Sequence, residues 1–479
     1  MEYEMTTTKQ LLQLPESKTL EFKRDLSSPR NVLKTLVGFA NSAGGRIIVG
    51  VNDDKQLVGV DDPLLEEERI CGLIADSISP RLVPNVELMS YDGYTLLALE
   101  VFPSGMRPHY LTKLGLEKGV YVRLGSSNRQ AGKDLVAELQ RSAAGLVFDE
   151  LPIPELSKED LDLVAIQEQL GKRQQLNDEA LITLKLLRKE QNRLVPTQGG
   201  ILLFGKNREG YFPDAWIQCG RFRGVDKVHI FDQAEIHEHL PNAVTEIELF
   251  LKKHAFKSAK FGAMQREDVW SIPLVILREA IVNALVHSDY SQRGSPIRIA
   301  FFDDRIDIES PGLLLSGMTI EDMKSGVSRI RNPVIARVFR ELGLIEQWGS
   351  GVKRIFSEAV TLGLPEPTIT EIATGLRLRI WLHEPILLEL DQGAQSRAQS
   401  RAQSEVQAKA ILQCLIKEPL SANELVGALQ LQSKTGAFKR TIKDLLDGDY
   451  VEYTLPDKPT SRLQKYRITT KGYELFEAE

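Results

Sequence analysis

The sequence predicts a multidomain α+β protein. Three observations carry that reading. The first is length: at 479 residues, a domain's worth of about 150 residues gives roughly three domains. The second is that apolar residues change along the chain between helical spacing and β-branched, strand-length runs. The third is a pair of boundary segments of different composition, the proline-punctuated Leu151-Pro152-Ile153-Pro154-Glu155 and an Ala-Gln-Ser-Arg repeat over residues 394–404.

Bulk composition restricts the function classes. With 42% hydrophobic, 26% charged and 7% aromatic residues, the chain is globular in type rather than disordered or membrane-embedded. Its longest apolar runs, such as Gly200-Ile201-Leu202-Leu203-Phe204, are strand-length, far short of the roughly 20 residues of a spanning helix. The acidic start Met1-Glu2-Tyr3-Glu4 has no apolar stretch behind it, so no secretory signal and a cytoplasmic location are expected. Cys71, Cys219 and Cys414 are far apart and odd in number, which suits small buried side chains better than a disulfide framework or a thiolate metal site. A net charge of −6 argues against polyanion binding by the whole surface, so any nucleic-acid contact must be a local basic patch.

Residues near 15 to 135 read as short strands around one helix. Val32, Leu33, Leu36, Val37 and Ala40 recur on one helical face within Asn31–Ala43, and Gly44-Gly45 ends that helix by supplying a left-handed turn. Arg46 to Val51 is β-branched and reads as a buried strand. Leu96–Phe102 and Gly119–Leu124 follow as strands, with turns at Tyr91-Asp92-Gly93 and Gly125-Ser126-Ser127-Asn128. Beyond the linker, Asp160–Glu190 has a charged helical pattern, Pro196-Thr197-Gln198-Gly199-Gly200 introduces a strand, and Trp216–Phe222 is another. Trp270–Val286 is a long helix with Glu279, Asn283 and His287 on its second face. The Ala-Gln-Ser-Arg repeat reads as a polar helix or a solvated linker, and as a domain boundary in either case.

The opening Glu16-Ser17-Lys18-Thr19-Leu20-Glu21-Phe22-Lys23, with Gly44-Gly45-Arg46-Ile47-Ile48-Val49-Gly50-Val51-Asn52-Asp53, resembles the Schlafen AlbA-type domain. Arg107-Pro108 and Tyr121-Val122-Arg123-Leu124-Gly125-Ser126-Ser127 extend the likeness over most of residues 14–132. In Schlafen nucleases two such glutamates and the aspartate hold a divalent metal. The resemblance therefore implies Glu16, Glu21 and Asp53 as ligands for Mg²⁺ or Mn²⁺, whose chemistry would be phosphodiester cleavage. The same acids also suit surface positions in a domain that only binds nucleic acid. Lys18, Lys23, Arg24, Arg107, Arg123 and Arg129 would then meet phosphates, setting an affinity that depends on salt.

In Arg278-Glu279-Ala280-Ile281-Val282-Asn283 the glutamate and asparagine lie one turn apart on one helical face. This looks like the N-box of GHKL ATPases, in which the asparagine coordinates Mg²⁺ on the nucleotide phosphates and the glutamate orients the attacking water. The resemblance implies ATP as cofactor, with Glu279 catalytic and Asn283 on the metal. His287 is a further cofactor-facing candidate or a satisfied core histidine. Arg305-Ile306-Asp307-Ile308-Glu309-Ser310-Pro311-Gly312 falls where that family reads adenine, with Gly312 as the matching glycine and no clear adenine-reading aspartate. Gly349 and Gly351, in Trp348-Gly349-Ser350-Gly351-Val352-Lys353-Arg354, offer a glycine loop entering a helix, where free backbone N–H groups suit phosphates. With Arg329-Ile330-Arg331-Asn332-Pro333, the stretch from about Leu176 to Pro385 resembles a divergent GHKL module of α/β-sandwich type.

From Glu405 the pattern is three helices and two strands. Ser421-Ala422-Asn423-Glu424 is a capping box. Lys434, Lys439, Arg440 and Lys443 charge the helical segment that follows, and Lys458 and Arg462 charge the turn between strands Tyr450–Leu455 and Gln464–Thr469. The arrangement resembles a winged helix-turn-helix, whose second motif helix enters the major groove; a protein-docking winged helix is the rival.

The expected organisation is an AlbA-type domain over 1–145, linker helices and the GHKL-type module over 146–388, the repeat linker over 389–404 and the winged helix over 405–479. A nucleotide-responsive DNA-binding regulator, acting as a homo-oligomer on paired half-sites, fits these parts. A metal-dependent RNA or DNA nuclease in anti-phage defence, gated by the GHKL-like module, is an alternative. A protein-interaction scaffold with a degenerate nucleotide pocket is a third.

Overall fold

The computed structural model describes residues 8–171, 176–255, 257–261, 266–345, 351–373, 375–382, 408–429, 436–456 and 464–477. The chain is a multidomain α+β protein with mixed sheets, and it divides into two compact units, Met1–Leu387 and Leu388–Glu479. No helix among the described residues is long and apolar enough to cross a membrane.

The first unit begins with a four-stranded sheet in the order Leu20–Lys23, Gly45–Val49, Tyr94–Val101, Asn85–Tyr91. Its first pair is parallel and the others antiparallel. The helix Pro29–Asn41 packs on it through Val32, Leu33, Leu36, Val37 and Ala40, all buried, as their spacing predicts. Gly44 closes that helix at φ +79°, its N–H donating to Phe39 O at 2.9 Å, and an added Cβ would stand 2.7 Å from Val101 O. Only glycine fits a left-handed position so near a neighbouring backbone.

The expectation of one helix in this region is incomplete. Pro63–Ser77 is a second, capped by Asp62 accepting from Leu65 N, but Ile70 and Ile74 are its buried residues. So narrow an apolar stripe gives little periodic signal. Gly115–Gly119 is a short third, and Lys133–Ala143 is a fourth, in which only Leu139 is fully buried.

The middle of the unit is built on a six-stranded mixed sheet, in the order Ile230–Ile236, Ile217–Phe222, Ile297–Phe301, Arg305–Pro311, Gly375–Trp381, Thr368–Ile372. Alternate residues face opposite sides of a strand. Ile217, Cys219, Ile299, Phe301, Ile306 and Ile308 belong to the large core shared with the helices, whereas Asp307 and Glu309 pair with Arg379 and Arg377. The apolar side is covered by helices that include Leu240–Lys253, Leu274–His287, Pro333–Glu341 and Gly351–Thr361.

Two expected elements differ. The run at 198–204 is a helix, Gln198–Phe204, rather than a strand: Thr197 caps it by accepting from Gly200 N, and Gly199 to Phe204 are all buried. A fully buried helix loses its polar face, so the run reads like a core strand. The charged stretch 160–190 contains helices Leu163–Leu170 and Asp178–Thr183 but ends as the strand Leu187–Glu190.

The second unit has its own core, including Ile411, Leu415, Leu425, Phe438, Ile442 and Val451. Residues 408–417 are helical, followed by helices Ala422–Ala428 and Gly436–Asp447, the antiparallel strands Val451–Tyr453 and Tyr466–Ile468, and the helix Thr470–Glu477, which the sequence pattern missed. The capping box at Ser421 and Glu424 is formed. The Ala-Gln-Ser-Arg repeat lies outside the described residues.

Candidate functional site

The Leu274–His287 helix puts Glu279, Asn283 and His287 in line, one turn apart, along a cavity of about 310 Å³. Asn283 Nδ2 donates to Glu279 Oε1 at 3.3 Å. Asn332 fixes the far end of this helix, donating from Nδ2 to Val286 O at 2.9 Å and Ser288 O at 2.7 Å. Those are among the terminal carbonyls that a helix leaves without internal partners. Burial, reinforced by the Arg331 cation, holds the His287 imidazole down at about 4, so this side chain is neutral at pH 7.

Gly351 opens the helix Gly351–Thr361 directly against the pair. An added Cβ would meet Glu279 Oε1 at 1.9 Å and Asn283 Nδ2 at 3.2 Å. The chain thus brings the first described turn of this helix onto the acid–amide pair. Gly349 lies outside the described residues. Gly312 takes φ +104° and packs against Arg331, whose Cζ would be 3.2 Å from an added Cβ.

Arg329, Arg331, Arg340 and Arg354 also line the cavity, together with the apolar Leu313, Leu314, Leu315 and Met318. Sequence reasoning missed these as site residues. Arg329 and Arg331 fell within a quoted motif, but nothing in the sequence shows that residues so distant from the Glu279 helix share its cavity.

The N-terminal acids are placed differently from the metal-site expectation. Glu16 Oε1 accepts from Phe22 N at 2.9 Å. Glu21, 7% exposed, is paired with both Lys23 and Arg123. Asp53 sits exposed in a turn. Among the described residues no group of three or more His, Cys, Asp or Glu side chains is arranged to hold a metal.

Arg123 is not available for phosphate, because it is 1% exposed, donates to Ser17 O and Asn128 Oδ1 and lies over the Phe39 ring. Lys18 is bound to Glu371 at 2.6 Å. Arg107 donates to Ser104 O, Ser316 Oγ and Ser142 Oγ. Lys23 is half-buried, and Arg24 and Arg129 are exposed. In the second unit Lys443 is exposed. Lys434, Lys458 and Arg462 lie outside the described residues, as do the side chains of Lys439 and Arg440.

Residues 16–132, which contain the four-stranded sheet and the Glu21–Arg123 pair, match the family model "Schlafen, AlbA_2". The chain carries a Schlafen AlbA_2 domain. Behind the AlbA_2 domain, residues 294–380 match the model "Putative ATP-dependent DNA helicase recG C-terminal". That match takes in the arginine-bearing wall and Gly351 but begins after the Glu279–Asn283 helix. Residues 406–469 match the "Filamentation induced by cAMP protein Fic-like, C-terminal domain" model.

Among solved structures, the chain is similar to the DIP2311 protein from Corynebacterium diphtheriae, at 20% identity over 96% of this chain and 94% of that one, with a TM-score of 0.43. It is also similar to the N-terminal domain of a "Putative ATP-dependent DNA Helicase RecG-related Protein" from Nitrosomonas europaea. There the identity is 29% over 25% of this chain and 90% of that one, with a TM-score of 0.21. No curated protein matches the chain.

Proposed function

We propose that the chain is a nucleotide-responsive, DNA-binding regulator. It binds ATP in the cavity beside Glu279 and Asn283, and DNA through the AlbA_2 domain and a winged-helix tail. The observation that carries the nucleotide reading is the meeting of Gly351, the first described residue of its helix, with the Glu279–Asn283 pair, where a Cβ would displace the Glu279 carboxylate. It lies in a cavity lined by Arg340 and Arg354, by Arg329, which donates to Ser316 O, and by Arg331, which is paired with Glu138. Donors and cations of this kind suit a polyphosphate. Asn283 would hold a nucleotide-borne Mg²⁺ and Glu279 would orient water, as a GHKL-like module requires. The match to a model named for an ATP-dependent protein supports ATP as the nucleotide.

The DNA reading is supported by exposed Arg24 and Arg129 on the AlbA_2 domain and by exposed Lys443 on the Gly436–Asp447 helix. A metal-dependent nuclease has less support, because Glu21 is already neutralised by Lys23 and Arg123. The function is tested by calorimetric titration with ATP and Mg²⁺ alongside anisotropy of a labelled DNA duplex at several salt concentrations. Saturable ATP binding and salt-sensitive DNA binding are expected. Absence of either removes the corresponding half of the reading.

A further inference from the structure

One cavity wall is also a clamp on the AlbA_2 domain. Residues 312–318 have no regular secondary structure and carry glycines at positive φ at positions 312 and 317. On one side, Leu313, Leu314, Leu315 and Met318 line the cavity. On the other, Leu313 is buried in a cluster with Val120, Val122 and Leu139 of the N-terminal domain. Ser316 Oγ donates to Ser42 O at 2.7 Å, and Gly317 N to the same oxygen at 2.8 Å. Ser42 Oγ in turn accepts from Arg123 N.

This segment and the strand next to it occupy two cations of the AlbA_2 domain. Arg107 donates to Ser316 Oγ at 2.9 Å. Glu371 Oε1 accepts from Leu314 N at 3.2 Å and from Lys18 Nζ at 2.6 Å, leaving the Lys18 side chain only 13% exposed. A cation held in this way cannot also neutralise a phosphate.

We propose that the strap over residues 312–318, with Glu371 beside it, is an autoinhibitory latch: Glu371 holds Lys18 in an ion pair, Ser316 adds one bond to an Arg107 that also donates to Ser104 O and Ser142 Oγ, and a ligand filling the cavity releases Lys18 for phosphate contact. The ligand half rests on the nucleotide reading above. At about 310 Å³ the cavity is at the lower bound of small-molecule pockets, roughly 300–1,000 Å³, so a nucleoside triphosphate enters as a wall yields. Two glycines within an irregular segment give that wall its freedom. A ligand that favours the opened arrangement shifts the population toward it, and DNA must favour ligand binding by the same factor.

The test begins without nucleotide. Glu371→Gln frees Lys18, so the slope of log affinity for a labelled DNA duplex against log salt steepens by about 0.9, one added phosphate contact. Adding Lys18→Met to that variant abolishes the gain. Ser316→Ala, which loosens the strap from Ser42 and Arg107, shifts the slope in the same direction and serves as an independent variant if Glu371→Gln fails to fold. An unchanged slope in both folded variants, or a gain that survives Lys18→Met, overturns the latch.

The second arm adds ATP and Mg²⁺, with ATP binding measured on the same samples. Wild-type DNA affinity rises, and rises less in Glu371→Gln. If ATP binds while wild-type DNA affinity stays fixed, the link between cavity and latch is overturned. If ATP does not bind, the nucleotide reading fails, and the nucleotide-free arm still decides the latch.

Discussion

Asp149 Oδ2 accepts from Val334 N at 2.7 Å and from Ile335 N at 3.1 Å, so a fully buried carboxyl caps the helix Pro333–Glu341. Burial pushes its pKa up to about 7 against the opposing effect of those two N–H groups. The folded state therefore holds a proton that the unfolded chain releases near pH 4. This contribution to stability is complete below the unfolded pKa and is lost as pH rises through about 7. Because the depressed pKa of His287 acts in the opposite direction over the lower part of this range, the test is a difference. In denaturant titrations the stability of wild type relative to Asp149→Asn, which keeps an acceptor without the charge, should fall between pH 4 and 8 by an amount on the order of a few kcal/mol.

Replacing Gly351 should damage the site more than the fold. The atom an alanine Cβ meets is the mobile end of Glu279, which can move aside at a cost of roughly 1 kcal/mol. Gly351→Ala should therefore melt within a few degrees of wild type while its ATP binding, measured by calorimetry, is weakened at least tenfold.

Asn332 has the opposite profile. It is 1% exposed, and its loss leaves Val286 O and Ser288 O without their donor. Asn332→Ala should cost about 2–4 kcal/mol in denaturant titration, well above the change for exposed Arg340→Ala.

Arg123 and Arg24 separate support from contact. Arg123→Ala leaves Glu21 as a buried charge held by Lys23 alone and should destabilise by roughly 3–5 kcal/mol. Arg24 is exposed; Arg24→Ala should leave the melting temperature unchanged and lower the salt slope of DNA binding by about 0.9.

These contrasts show where the sequence is informative. The Pro29–Asn41 helix and its glycine stop were legible because one apolar face and one left-handed turn are local properties. The Gln198–Phe204 helix was not, since complete burial removes the polar half of the pattern. The one-turn spacing of Glu279 and Asn283 was equally local and is realised. Arg123 was read as a phosphate contact because its sequence neighbours give no sign of the Glu21 and Ser17 partners more than a hundred residues away. The arginine-lined wall and the clamp from Ser316 to Ser42 were beyond reach for the same reason: both are long-range contacts.

Nucleotide binding in the Glu279–Asn283 cavity is measured most directly by calorimetric titration of the full chain with ATP and Mg²⁺, in wild type and in Asn283→Ala. Saturable binding is expected in wild type and a loss of at least tenfold in Asn283→Ala, with the fold intact by thermal melting. Wild-type protein that takes up no ATP, or equal binding by a folded Asn283→Ala, would contradict nucleotide binding at this site.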